Sequence, residues 1–201
     1  MLLGSHNTMS FLRPKYFWLR PFRFMARCQN KHLISQYYLG ARLFDMRLVF
    51  DKHGKPHFAH GLMTYKTDTD RFVPAIFSWL NDMADGDTIW VRVINERNKN
   101  KDKFISYCKR LQLDYPCVKF FGGINKKDWK QIYDFGYGSP TFVDKYASQN
   151  NDILGRGTGW HWDDIWPWIY AKLHNKKWIK KFAKEPGYLM IDFIGIPDKA
   201  K

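Results

Sequence analysis

Stretches with the two-residue apolar period of a β-strand alternate with stretches of helical period along almost the whole of this chain. No feature restricts its fold more, because strands separated by helices pair in parallel, and a parallel sheet needs helices over its faces. Strands are expected from the apolar opening Met1-Leu2-Leu3, which stops at Gly4-Ser5, and over residues 41–50, 57–61, 88–95, 117–121, 141–147 and 188–196. Helices are expected over 30–39, where Gly40 supplies a stop, and over 71–83, 97–110, 126–135 and 164–184. About six or seven strands in this order leave two architectures, a barrel and a doubly wound sheet. One connection breaks the alternation. Asp51-Lys52-His53-Gly54-Lys55-Pro56 is too short for a crossover helix, so a hairpin-like return is expected there.

Composition bounds the class of molecule. At 45% hydrophobic and 18% aromatic, 201 residues can bury one core, and a single domain over 1–201 is expected rather than a disordered chain. No apolar run approaches the roughly 18 to 20 residues that span a bilayer. Met1-Leu2-Leu3 reaches Gly4-Ser5-His6 too soon for a secretory leader, so a chain soluble as written and cytoplasmic at synthesis is expected. Cys28, Cys108 and Cys117 show no CxxC spacing, which points away from a disulfide framework or a structural zinc site. With 33 Lys+Arg against 19 Asp+Glu, the formal net charge of +14 calls for an anionic partner. Charge alone does not separate nucleic acid, an anionic membrane and a phosphorylated small substrate.

Three short segments carry the chemistry. Ser5-His6-Asn7-Thr8 follows the first strand directly, where α/β folds place active sites, at the carboxyl ends of strands. On the strand 41–50, the two-residue period puts Leu43, Asp45, Arg47 and Val49 on one face and Phe44, Met46, Leu48 and Phe50 on the other. An Asp and an Arg on a face that is otherwise apolar would cost several kcal/mol to bury without partners. They are either a structural pair or a binding device. His60-Gly61 ends the next strand, and Arg92 and Glu96 share a face at the end of the strand 88–95.

In order and spacing, Gly4-Ser5-His6-Asn7, Gly40-Ala41-Arg42-Leu43-Phe44-Asp45-Met46-Arg47 and Ala59-His60-Gly61 resemble the phosphatidylinositol-specific phospholipase C family, the X-domain phosphodiesterases, in its bacterial form. The resemblance is sharpest over residues 1–61. It continues through 91–96, Val143-Asp144-Lys145-Tyr146 and the strand around Asp192. It implies an irregular TIM-type (β/α) barrel, trimmed here because 201 residues fall short of the roughly 250 of a full eight-fold barrel. It also implies cleavage of a phosphoinositide or similar phosphodiester by an internal hydroxyl, through a cyclic phosphate. In that scheme His6 is the general base and His60 the general acid, a division suited to imidazole near neutral pH. Arg47 braces the phosphate and Asp45 orients Arg47 or contacts substrate. Asp192, the lone charge of an apolar final strand, is the candidate to hold the tautomer of His6. Asn7, Arg42, Arg92, Glu96 and Lys145 are candidate substrate contacts.

One departure matters. Asn7 matches the calcium-dependent eukaryotic members, whereas Arg47 matches the bacterial, metal-free ones. Calcium wants about six to eight oxygen ligands, and Asn7, Asp45 and Glu96 would offer three around the positive charge of Arg47. No cofactor is therefore expected, with calcium on those three residues as the alternative. Metal-dependent glycerophosphodiester phosphodiesterases and sphingomyelinase D-like enzymes share the barrel but hold their metal with carboxylates, and Arg47 stands against them. A non-catalytic basic module for anionic lipid or nucleic acid is the other class, but it has no use for paired histidines at strand ends. The partner expected is a phospholipid or small phosphodiester, not nucleic acid. Peripheral contact with an anionic membrane is assigned to the aromatic and basic loop between Phe11 and Arg27. In the helix 164–184, Trp168, Ile169, Leu173, Ile179 and Phe182 are expected to form an ordinary core stripe, with the lysines in water.

Overall fold

The longest strand organises the molecule. In this computed structural model, which describes residues 1–123, 133–143 and 165–196, β2 (Ala41–Phe50) is buried on both faces at every residue but Arg42. One edge of β2 pairs in parallel with β1 (Leu2–Ser5), and the other with β5 (Trp90–Asn95). The ladder continues from β1 to β8 (Tyr188–Ile191) and β7 (Phe142–Val143), and from β5 to β6 (Lys119–Gly123). These form a parallel wall in the order β7-β8-β1-β2-β5-β6. Past the end of β1, β2 runs on and pairs antiparallel with β3 (Pro56–His60), with Leu48 opposite Phe58. β3 then turns into β4 (Met63–Thr64), completing an eight-stranded sheet. The helix-free link at 51–56 is thus a hairpin.

The wall curls into an irregular TIM-type barrel. Leu43, Phe121, Phe142, Tyr188 and Met190 form one buried cluster with Trp90 packed on it, which strands on both sides of β2 share only because the sheet bends round. β6 and β7 do not pair among the described residues, so the sheet stays open. The rings of Phe121 and Phe142 stand 5.7 Å apart across that opening. Outside the wall, Phe44, Met46, Val91, Val93 and Phe120 join a second core with Phe77 and Leu80 of α3 (Phe72–Ala84) and Phe104 and Leu111 of α4 (Lys101–Asp114). Each side chain fully buried there contributes roughly 1.5–3 kcal/mol. Gly4 is packed inside the wall. A Cβ there would lie 2.9 Å from Met190 Cγ and 3.2 Å from Leu43 Cβ, so the strand that delivers His6 has no room for a side chain.

Several boundaries differ from expectation, each for a local reason. The helix expected from 97 starts at Lys101 because Asn98 and Asn100 hold the left-handed region, with φ 51° and 54°, which Asn tolerates. The last strand stops at Ile191, and Phe193 at φ 48° turns the chain away. The helix over 30–39 narrows to α2 (Leu33–Tyr38). The loop 11–27 holds tight helical turns over Thr8–Phe11 and Phe17–Phe22 and the short α1 (Arg23–Ala26). α5 (Pro167–Phe182) buries Tyr170, Ala171, Asn175 and Phe182, whereas Trp168 and Leu173 are 50% and 57% exposed. The expected core stripe is therefore wrong at those two positions. Two stripes fitted the helical period, and a buried hydrogen bond of Asn175 goes with the one observed. The helix expected over 126–135 and most of the strand over 141–147 lie outside the described residues. No described helix is long and apolar enough to cross a membrane.

Candidate active site

At the carboxyl ends of the strands the inner face of the barrel turns from apolar to charged. Above Leu43 on β2 come Asp45 and Arg47, and Arg92 of β5 is in register with Asp45. All three are buried. Arg47 and Arg92 both hold Asp45. Arg47 Nε donates to Oδ2 at 2.9 Å, and Arg92 Nε donates to Oδ1 at 3.0 Å. Arg92 Nη2 stands 3.0 Å from Oδ2. Burial alone would push the Asp45 carboxyl up, but the charges of Arg47 and Arg92 hold it well below the usual carboxylate range. Asp45 stays ionised, and one carboxylate balances two guanidiniums.

β1 brings His6 to this cluster. Asn7 takes φ 44° and ψ 58°, turning the chain sharply, and its backbone N–H donates to Asp45 Oδ2 at 2.9 Å. The turn is braced from below. Gln29 Nε2 donates to the carbonyls of His6 and Ile191, at 3.1 and 2.9 Å. Thr8 Oγ1 donates to Ser5 O and accepts from Asp45 N, both at 3.0 Å. Gln36 accepts from Ser5 Oγ and donates to Thr8 O.

The His6 ring is gripped at both nitrogens. Asp192 Oδ1 lies 2.6 Å from Nδ1, and Arg47 Nη2 lies 2.7 Å from Nε2. A guanidinium only donates, so Nε2 must accept and Nδ1 must carry the proton, donating to Asp192. The imidazole is thereby set in one tautomer, with its lone pair aimed at Arg47. Asp192 is positioned in turn by Asn175 of α5, whose Nδ2 donates to Asp192 O at 2.6 Å.

His60 stands across from His6, the ring centroids 6.3 Å apart and the planes at 89°. Its Nδ1 is 3.0 Å from Ala26 O, a bond in which only the imidazole can donate, so Nδ1 carries a proton. Cys28 Sγ lies 3.9 Å from the same Nδ1 and 3.9 Å from Asn7 Nδ2. Tyr65 also donates to Ala26 O, at 3.2 Å. Glu96 closes the edge of the site. Its Oε2 is 3.5 Å from Arg47 Nη1, and its Oε1 accepts from Gly61 N at 2.7 Å, tying β5 to the turn after His60.

The structure therefore gathers His6, His60, Asp45, Arg47, Asp192, Arg92 and Glu96, with Asn7 beneath them. It does not gather Arg42. That side chain lies on the opposite face of β2, paired with Asp87, donating to Tyr37 O at 3.0 Å and stacked 4.1 Å over the Tyr37 ring. Lys145 lies outside the described residues. Asn7, expected as a substrate contact, instead shapes the turn and faces Cys28. Of the alternative calcium set, both Asp45 oxygens face guanidinium nitrogens and Glu96 is engaged by Arg47 and Gly61. One donor of each of His6, Cys28 and Asp192 lies within 4.8 Å of the others, but His6 and Asp192 spend theirs on each other. Gln29, Gln36, Cys28 and Asn175 were not anticipated. A lone buried amide or thiol carries no sequence period of its own, whether in a loop, as Cys28 and Gln29, or on a helix, as Gln36 and Asn175, and only the partners it meets in three dimensions reveal it.

No family model matches the chain, and no curated protein does. Solved structures do. The phosphatidylinositol-specific phospholipase C of Listeria monocytogenes superposes with a TM-score of 0.64 at 15% identity, covering 96% of this chain and 87% of that one. The H258Y mutant of the Staphylococcus aureus enzyme gives 0.61 at 14%, covering 96% and 84%. At such identity the likeness is one of fold, and the fold is that of the phosphatidylinositol-specific phospholipase C barrel.

Proposed function

We propose that this protein is a phosphodiesterase that cleaves phosphatidylinositol or a similar phosphodiester by attack of a neighbouring hydroxyl, releasing a cyclic phosphate. One observation carries the proposal. His6 has its proton on Nδ1 against Asp192 and its lone pair on Nε2 beside a guanidinium, with a second imidazole facing it 6.3 Å away. A phosphoryl group seated between the two rings would meet a base, an acid and a cation together.

In this scheme the phosphate oxygens attract Arg47, whose planar guanidinium suits two of them, and draw it off Nε2. The exposed lone pair takes the proton of the attacking hydroxyl as its oxygen bonds to phosphorus. His60 Nε2–H gives its proton to the departing oxygen as the old P–O bond breaks. Asp192 stabilises the imidazolium formed at His6, and Asp45 keeps Arg47 in place from behind. Arg47 and Arg92 supply the positive charge that a divalent ion gives elsewhere, so catalysis is proposed to need no metal. The likeness to enzymes named for phosphatidylinositol supports a lipid substrate, as does the run of exposed Phe17, Trp18, Phe22 and Phe24, which suits a membrane surface.

Phosphorus NMR of products from phosphatidylinositol and from water-soluble phosphodiesters tests the proposal. A cyclic inositol phosphate, formed equally in the presence of a chelator, is expected. Absence of any cleavage, or cleavage only with added metal, would refute it.

A further inference from the structure

A cavity lies behind the hairpin that carries His60. Phe58, Met63 and Tyr65 of this hairpin face the core, whereas His57 and Thr64 line the cavity together with Lys15, Tyr16, Val49, Asp51, Asn95, Arg97, Lys99 and Asn100. Its volume is about 200 Å³, below the ~300 Å³ at which sites for drug-sized ligands begin, so it suits a small ligand.

The lining is cationic. Lys15, Arg97 and Lys99 bring three positive groups, and no carboxylate among the described residues forms an ion pair with any of them. Arg97 is spent on structure, donating to Gly61 O at 3.0 Å and Leu62 O at 2.8 Å, but its charge remains. Asp51 is the lone acid on the wall; its Oδ1 accepts from the backbone N–H groups of His53 and Lys55, and its Oδ2 lies 3.6 Å from His57 Nε2. His57 Nδ1 is buried with no hydrogen-bond partner among the described residues. The N-terminus of α4 reaches the same cavity. Asn100 at its head does not cap its own helix, because its Nδ2 donates to Phe50 O at 3.1 Å. The first-turn N–H groups therefore add their partial positive charge, offset in part by Asp102 on that turn.

We propose that this cavity is a binding site for a phosphate-type oxyanion, separate from the catalytic centre and braced against the back of the hairpin that holds His60. Lys15 and Lys99 neutralise the anion and the head of α4 supplies directional donors, with His57 Nδ1 joining them once the bound anion draws a second proton onto the ring, whose Nε2 already faces Asp51. The site stands whether or not the catalytic reading does, because it shares none of its residues with it.

The test follows the His57 ring resonances of the full-length protein during titration with inorganic phosphate. Saturable shifts are expected in the wild type and in Lys99→Arg, weakened on the order of tenfold in Lys99→Glu. Turnover of a water-soluble phosphodiester should be unchanged in both variants, which separates this site from anion binding at Arg47. Sedimentation with phosphatidylcholine vesicles, plain or containing phosphatidylinositol 4-phosphate, then identifies the source of the anion. Capture by the phosphorylated lipid that Lys99→Glu abolishes assigns a lipid headgroup, and His57 shifts without such capture assign free phosphate. Phosphate that leaves the His57 signals unmoved, or moves them equally in Lys99→Glu, overturns the proposal.

Discussion

His6 and His60 face each other but rest on different supports. Behind His6 stands a carboxylate, Asp192, at 2.6 Å, and behind His60 a neutral carbonyl, that of Ala26, at 3.0 Å. A carboxylate favours the imidazolium strongly and a carbonyl only weakly. In the proposed reaction, the ring that takes up a proton is thus the one backed by a carboxylate, and the ring that releases one is backed by a neutral carbonyl. The surroundings differ in the same sense, since His6 borders an ionised network of Asp45, Arg47 and Arg92, whereas His60 borders a thiol and a tyrosine hydroxyl. The proposed division of acid from base work between two identical side chains would thus rest on what lies behind them.

The most severe way to break the comparison is to remove either ring. His6→Ala and His60→Ala should each lower turnover by up to roughly 10⁴-fold, and the double variant should lose little more, because the two act as a unit. Steady-state kinetics of the three variants, with circular dichroism to check folding, measures this. Losses that multiply would mean that the rings do not share one reaction.

Removing the charge that anchors the His6 side comes next. Asp45→Asn leaves Arg47 and Arg92 buried without their shared anion, and the expected loss of stability is about 3–5 kcal/mol. The pH dependence has a definite sign. The Asp45 carboxyl is held below its ordinary value in the folded state, so its contribution is fully present above about pH 4 and fades as the pH falls through the acid range. The stability gap between wild type and Asp45→Asn, read by urea denaturation, should accordingly narrow as the pH is lowered from 6 toward 3. A gap that widens on acidification would contradict the assignment.

These variants touch the part of the molecule most open to sequence reasoning. The two-residue period of β2 separates Asp45 and Arg47 from Phe44 and Met46, and a charged pair amid an apolar strand needs partners. That logic put Arg42, three residues before Asp45, on the other face, and the structure finds it there with Asp87. The family-like motif nonetheless drew it into the candidate list, because a motif records order along the chain and not direction. The alternation of strands and helices left a barrel and a doubly wound sheet, between which the family resemblance chose the barrel, and the short link at 51–56 pointed to a hairpin. What stayed hidden was support. Gln29 joins the carbonyls of His6 and Ile191, and Asn175 holds the backbone of Asp192 from α5. Neither follows from a period, since a single polar residue on a helix reads as solvent-facing until the fold supplies a buried carbonyl for it.

Asp192→Asn sharpens the comparison by making the support of His6 resemble that of His60. An amide keeps the shape but not the charge, and it can present its NH₂ group to Nδ1, which would favour the tautomer with the proton on Nε2, where it blocks the base. Turnover is expected to fall by about 10²-fold or more with little change in KM, since the carboxylate acts mainly as charge develops on the ring. Nitrogen-15 NMR of the imidazole would report the tautomer directly. Full activity in this variant would show that a neutral partner suffices for the base, and the division of labour would then need another cause.

The mildest change lies on the His60 side. Cys28 is buried, 3.9 Å from His60 Nδ1 and 3.9 Å from Asn7 Nδ2, distances at which a thiol is a weak partner to each. Its backbone N–H does more, donating to Ser10 Oγ at 3.0 Å, and its carbonyl accepts from Phe193 N at 2.6 Å. Neither bond depends on the side chain. Cys28→Ser should therefore keep turnover within about threefold, while the smaller hydroxyl, a better donor and acceptor, slightly shifts the alkaline limb of the pH–rate profile, which loss of the His60 proton sets. A loss as large as that of Asp192→Asn would place the thiol on a level with the carboxylate, and the contrast between a charged support at one ring and a neutral one at the other would no longer describe this site.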